Sequence, residues 1–478
     1  MMTRLRAFIV LFISCVAASP AAAQHGFISN APSYGWRAIA GPVEIPMSID
    51  STNLQIMSRT PSFATDNITQ IKVVFPNFYI ASSGRPDSGS QAQPGSSATI
   101  TASIEYPAGV CTQLTFSGSA SGTIANGGQV ASDALTVSIP NGATFWVREF
   151  SSAASGGTVV GNTGTSDSAH LDSADGEAVM GWASGGTDYT ASCTASGSWS
   201  GGTSLTNARK PIAIVGWTQH AAVCLIGDSR VRGNNEGVLS GIPAANRWGQ
   251  LDPWIGQTFG TINLGANGDR AKETSQNDGH YTNRGALLQY CTHAVYAYGI
   301  NDINQNSASN TTVEGYFRTF QGLYDPSHAL FWYLATVFPY ANYCPGGVMF
   351  SDSSGSGGST PTQKETARLN YNSDVRAGSI TGQDGFIDID ALVAESPWPG
   401  WTGGAFGSYA SCIATTTDTG LSKNITTDNL HLSQQGAGGF NGSQGWVYNA
   451  FTTAPGTFTG IRKPKALFCT DKNGAYRC

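Results

Sequence analysis

The sequence predicts two fold classes in one chain: an all-β, sandwich-like front half over residues 24–210 and a doubly wound α/β back half over residues 211–455. Three observations carry this expectation. Apolar and polar residues alternate with period two through the front half. Later apolar runs become continuous, as in strands covered on both faces. Between those runs lie segments of helical length and composition, so strand and helix alternate. At 478 residues the chain is also too long for one ordinary core, which favours two domains.

The first 23 residues read as an export leader. Arg4 and Arg6 precede an apolar run, and small residues follow, ending at Ala21, Ala22 and Ala23. Cleavage is expected after Ala23. The run is too short, and broken too soon by Ser19 and Pro20, for a membrane span. A secreted or periplasmic protein with no stable membrane insertion is the expectation. Composition agrees: only 12% of residues are charged and 59 are glycine, which suits a loop-rich extracellular chain. The net charge of −6 does not advertise the basic surface that a nucleic-acid partner requires.

In the front half, Ile100, Ala102, Ile104 and Tyr106 of "ATITASIEYP" alternate with polar residues. Leu135, Val137 and Ile139 do the same before the Pro140-Asn141-Gly142 turn. Both segments are expected to be half-buried antiparallel strands of a β-sandwich, separated by stretches rich in Gly and Ser. Trp36, Trp146, Trp182 and Trp199 fall here. An exposed indole could stack on a sugar ring, but core packing is the favoured reading for so large an apolar group.

The back half opens with "AAVCLIG", followed by strand-like runs in "TFGTINLG", "THAVYAYGIND", "HALFWYLATVFP" and "GFIDIDALV". Helix-compatible "TTVEGYFRTFQGLY" and "TQKETARLNYNSDVRA" lie between them. In open parallel sheets, ligands collect at the carboxyl ends of the strands, where Asp228 and Ser229 fall. The remaining residues, 456–478, read as a C-terminal tail.

Four short blocks carry the chemistry: "IGDS" at 226–229, "LGANGD" at 264–269, "GIND" at 299–302 and "DNLHLS" at 428–433. In order and context they resemble the four blocks of the SGNH hydrolases, also called the GDSL esterase/lipase family. The resemblance spans Val223 to about Ala450 and does not extend to the front half. It implies a flavodoxin-like doubly wound sheet carrying a serine esterase site.

The chemistry asks for these residue types on its own terms. A serine hydroxyl is a poor nucleophile unless a base takes its proton and a third group orients that base. Asp428 and His431, three residues apart, can present carboxylate and imidazole side by side from one turn. The expected triad is Ser229, His431 and Asp428. The resemblance further implies an oxyanion hole made by the backbone N–H of Ser229, the backbone N–H of Gly268 and the side-chain amide of Asn301. Gly265 is a rival for Gly268. Asp228 could be mistaken for the triad acid, whereas the family's corresponding aspartate supports the serine loop. Arg230 and Arg232 could meet an anionic substrate, but charges flanking such a loop are more often solvated or paired.

Without the leader's Cys15, eight cysteines remain, an even set that points to disulfides. The expected pairs are Cys111 with Cys193, Cys344 with Cys412, and Cys469 with Cys478. Cys224, inside an apolar run, reads as a small buried hydrophobe. No HxxxH, HxH or CxxC spacing indicates a metal site, and no phosphate loop or dinucleotide fingerprint is present, so the expected chemistry needs no cofactor. The leading functional expectation is an exported esterase that removes acetyl or other short acyl groups from a polysaccharide. A lipase or arylesterase is the enzymatic alternative, with Trp398 and Trp401 as candidates for an apolar mouth. A glycan-binding surface protein without catalysis is the alternative from another class.

Overall fold

The computed structural model describes residues 34–81, 89–161, 171, 175–206, 208–233, 249–337 and 361–390, with the backbone of a short hairpin at Gly439–Phe440 and Ser443–Gln444. The described chain is mixed α/β with several sheets. Two sheets dominate the front half. One holds the strands Gly35–Ala38, Ala213–Thr218, Ile68–Pro76 and Gln129–Ala131, with Leu135–Ile139 also paired to Ile68–Pro76. The other runs Gly122–Ile124, Ala98–Glu105, Thr144–Ala153, Gln55–Ala64, Ala178–Trp182 and Thr203–Ser204. All these pairings are antiparallel.

The alternation read from sequence appears where expected, with one difference. Ile100, Ala102 and Ile104 are buried on one face of Ala98–Glu105. Toward the end of that strand the opposite face is covered too. Ser103 donates to the carbonyl of Thr190, and Glu105 accepts from Arg59 at 2.7 Å and Arg148 at 2.7 Å. A buried carboxylate is tolerable only when paired in this way. The Cys111–Cys193 disulfide, as expected, fastens the same region.

The five strands of the back half form one parallel sheet in the order Gly260–Asn263, Ala222–Gly227, His293–Ala297, Phe331–Ala335, Gly385–Ile387. In sequence order this is 2-1-3-4-5. The chain steps outward from Ala222–Gly227 and then crosses back over it, so a crevice opens at the carboxyl end of that strand. Every residue of Ala222–Gly227 is buried, as its continuous apolar run requires. The two expected helices form at Asn310–Tyr324 and Pro361–Ala377. Ser309 caps the first by accepting from Thr312 N at 3.2 Å. Its buried Val313, Phe317 and Phe320 recur at helical spacing, and Phe317 meets the Trp332 ring edge-on at 5.7 Å.

Two expectations about organisation change. Antiparallel pairing gives way to parallel pairing between Thr218 and Ala222, not at residue 211, because Ala213–Thr218 is hydrogen-bonded between two front strands. A strand buried on both faces reads alike in either kind of sheet. Second, one contiguous apolar cluster includes Ile39, Val73, Phe75 and Ile214 from the front and Ile226, Ile262, Tyr296 and Trp332 from the back. The halves approach so closely that a β-carbon on Gly260 would overlap the carbonyl oxygen of Ala38. Among the described residues, the two halves thus share this cluster.

Candidate functional site

The Ala222–Gly227 strand ends against a tight turn. A β-carbon on Gly227 would collide with the Val231 side chain and approach the Ala297 carbonyl, so only glycine lets the chain fold back over the strand end. Asp228 follows in an extended conformation, and its carboxylate accepts from Arg230 N at 2.9 Å, capping the one-turn helix Ser229–Arg232. Gly233 closes that turn with a left-handed φ of 89°. Ser229 is the first helical residue and is 5% exposed.

The second block lies directly on this turn. Leu264 N donates to Leu225 O at 2.8 Å and Ala266 N to Gly227 O at 3.1 Å, continuing the strand pairing into the loop. Asn263 Nδ2 donates to Val231 O at 2.9 Å, while its Oδ1 accepts from Gly265 N at 3.0 Å. The Gly265 N–H is thus committed inside the loop. Gly268 is half-buried and has a φ of +73°, a conformation that favours glycine.

The third block begins after the His293–Ala297 strand, where Gly299 precedes the helix Ile300–Asn306. Asn301 is buried, and its amide is held at both ends. Its Nδ2 donates to Asp269 O at 2.9 Å, and its Oδ1 accepts from Gln305 Nε2 at 3.1 Å. An amide nitrogen carries two hydrogens, and this bond uses one of them. Beside it, Asp302 accepts from Ala271 N and Lys272 N, each at 3.0 Å. Burial pushes the Asp302 carboxyl up to about 7 despite those two N–H groups, and Glu273 adds to the rise.

Ser229, Gly268 and Asn301 therefore all stand beyond the carboxyl ends of three neighbouring strands. His431 and Asp428 lie outside the described residues, as do Trp398 and Trp401 and the expected pairs Cys344–Cys412 and Cys469–Cys478. Cys224 corrects the expectation of a free buried thiol: it is bonded to Cys291, just before the His293–Ala297 strand. A lone cysteine in an apolar run carries no signal of a partner 67 residues away.

Arg232 is buried and points into the front half. Its Nη1 donates to Ile45 O at 2.8 Å, and its Nη2 meets Glu44 Oε1 at 2.5 Å. Glu44 in turn faces Lys210 at 3.5 Å, which faces Glu177 at 3.4 Å. Arg232 is thus a tie between halves.

Sequence reasoning missed a buried polar cluster around Asp269. Its carboxylate accepts from Arg284 Nη1 at 2.8 Å and the Tyr298 hydroxyl at 2.7 Å, and lies 2.9 Å from His280 Nε2. Burial alone would raise the Asp269 pKa, but Arg284, His280 and Tyr298 outweigh it and hold the carboxyl below its ordinary value. The His280 Nδ1 lies 2.9 Å from Ser90 Oγ in the front half. No local pattern links Ser90 to a histidine 190 residues later.

Among the described residues, one cluster has metal-ligand types, Glu105 with Cys111 and Cys193, and its cysteines are already joined as a disulfide. Of the four front-half tryptophans, Trp182 and Trp199 are buried, as favoured. Trp36 is half-buried under Lys72, and Trp146 is half-buried under Arg59. Trp217, not singled out from sequence, is 43% exposed and stacks on Tyr34 at 6.5 Å.

No family model matches the chain, and no curated protein matches it. Solved structures do. A protein from Desulfitobacterium hafniense described as lipolytic and of the G-D-S-L family is 16% identical, over 36% of this chain and 79% of that one, with a TM-score of 0.24. A Chitinophaga pinensis protein described as a possible lipase is 17% identical, over 45% and 93%, with a TM-score of 0.27. A family two carbohydrate esterase from Clostridium thermocellum, in complex with cellohexaose, is 9% identical, over 73% and 88%, with a TM-score of 0.25. At these TM-scores the likeness carries no functional assignment.

Proposed function

We propose that this protein is an exported serine esterase that hydrolyses carboxylic esters, with short acyl groups on a polysaccharide as the substrate class. The observation that supports the reading is that Ser229, Gly268 and Asn301 each follow the carboxyl end of one of three adjacent parallel strands, where the strand order reverses. In this reading the parallel sheet is flavodoxin-like and doubly wound, and the antiparallel front half is a β-sandwich-like unit that presents the substrate.

The Ser229 hydroxyl attacks the ester carbonyl carbon, and His431 accepts its proton. Asp428 holds the imidazole tautomer and stabilises the imidazolium. The oxyanion is met by the N–H groups of Ser229 and Gly268 and by the remaining amide hydrogen of Asn301. The C–O bond then breaks, and His431 returns the proton to the leaving alcohol. A water, deprotonated by His431, attacks the acyl carbon; the bond to Ser229 Oγ then breaks, His431 returns the proton to that oxygen, and the carboxylic acid leaves.

The export-type leader, the disulfides Cys111–Cys193 and Cys224–Cys291, and the exposed rings of Tyr34 and Trp217 support an extracellular glycan over an intracellular substrate. Among the described residues, no helix is long and apolar enough to cross a membrane. The test is turnover of a chromogenic acetate, followed by acetate release from acetylated glycans. Ser229→Ala is expected to abolish both, and a wild type inert toward every ester tested would favour a binding protein instead. The rate should also fall as pH drops through about 6–7, where a histidine base becomes protonated.

A further inference from the structure

The front half does more than lie beside the parallel sheet. Gly89 has a φ of +90°, and a β-carbon there would sit 2.5 Å from Asp269 Oδ1, so the front chain runs in direct contact with that carboxylate. The Gly89 carbonyl accepts from Arg284 Nη2 at 2.7 Å. Ser90 Oγ holds His280, and His280 holds Asp269. Gln91 Oε1 accepts from Arg284 N at 2.9 Å, and its Nε2 donates to Gly279 O at 3.1 Å. Three consecutive front residues thus grip the Asp269 cluster from outside.

Asp269 is the point through which that grip reaches the site. It follows Gly268 in the chain, and its carbonyl oxygen accepts from the amide of Asn301. Both side-chain and backbone donors assigned above therefore take their positions from this residue. Serine, histidine and aspartate in a row also have the residue types of a nucleophilic relay. Asp269, however, is already ion-paired with Arg284 at 2.8 Å and bonded to Tyr298, which leaves it holding a loop instead of waiting for an imidazolium.

We propose that Ser90 and His280 are positioning residues: through Asp269 they set where Gly268 and Asn301 present their N–H groups, so the front half is part of the catalytic apparatus. The proposal rests on the esterase reading for its catalytic consequence but not for the structural coupling. Asp269 and His280 are buried and each is held by several bonds, so the chain has few alternative arrangements and loss of one link should let the loop wander.

The experiment compares Ser90→Ala with Asn283→Ala in the full chain. Asn283 Nδ2 donates to Gly127 O at 2.8 Å across the same contact but has no bond to Asp269. Amide hydrogen exchange over residues 264–274 should quicken about tenfold in Ser90→Ala and stay unchanged in Asn283→Ala. On a chromogenic acetate, Ser90→Ala should lower kcat about tenfold with KM unchanged, and Ser90→Thr should restore it. Identical exchange and kcat in the two alanine variants would overturn the proposal. A wild type with no turnover would remove the esterase reading, and the exchange comparison would then decide the coupling alone.

Discussion

Asn301 and Asp302 are chain neighbours set to different tasks by where they point. Asn301 turns its amide toward the Asp269 carbonyl, whereas Asp302 turns away to cap the Ala271–Thr274 turn with both carboxylate oxygens. In the proposed esterase, replacing Asn301 by Ala should cost about 100–1000-fold in kcat with little change in KM, because an oxyanion-hole donor there would act on charge that develops only in the transition state. Steady-state kinetics on a soluble ester measure this. Asp302 carries a pH consequence. Its folded pKa of about 7 lies above the ordinary 3.8, so between about pH 4 and 7 the folded chain keeps a proton that the unfolded chain releases. Its contribution to stability therefore falls as pH rises through that window. The stability of wild type relative to Asp302→Asn should fall from about pH 4 to about pH 7 in denaturant titrations, and a difference independent of pH would refute the assignment. Asp302 was legible only as the end of "GIND". Its burial and its two backbone donors come from a loop 30 residues earlier.

Among the elements, the Ala222–Gly227 strand is the best specified and the most heavily anchored. Its apolar run, the glycine that ends it and the Asp-Ser turn are all consecutive in sequence, which is why strand, turn and nucleophile candidate could be read together. Its anchors could not. The Cys224–Cys291 bond closes a loop over 67 residues to the start of the neighbouring strand. A cross-link of that span is worth about 4 kcal/mol through the unfolded chain. Cys224→Ser with Cys291→Ser should lower Tm by several degrees or more while leaving the strand order intact, as read by calorimetry with far-UV circular dichroism. Arg232 is the second anchor. The favoured reading of a solvated or paired charge holds as a pairing, but its partner Glu44 lies 188 residues earlier.

On the scale of the whole molecule, the two halves share one apolar cluster and are cross-tied at Glu44–Arg232, Ser90–His280 and Gly127–Asn283. A front half serving only to reach insoluble substrates would leave the back half intact when deleted. Here removal of residues 24–210 would strip the Gly260–Asn263 strand of the backbone packed on Gly260 and leave Arg284 and Arg232 short of buried partners. Exposing that apolar cluster at about 25 cal/mol per Å² and losing these cross-ties is enough to exhaust the stability of an ordinary domain. The truncated chain should show no cooperative thermal transition and no activity even toward small soluble esters. A folded, active fragment would show that the shared core is dispensable.

By itself the sequence determined what short range can encode: where strands and helices begin, which strand runs are buried on both faces, and which four blocks carry catalytic residue types. Hydrophobic periodicity and turn chemistry act over a few residues, so they survive in one dimension. Only the tertiary structure decided that Ala213–Thr218 belongs to the front sheet, that Cys224 is bonded, and that Ser90, His280 and Asp269 form one chain behind the site. Those outcomes depend on which surfaces meet. A buried polar group takes whatever partner the packing brings within reach, however far away it lies along the chain.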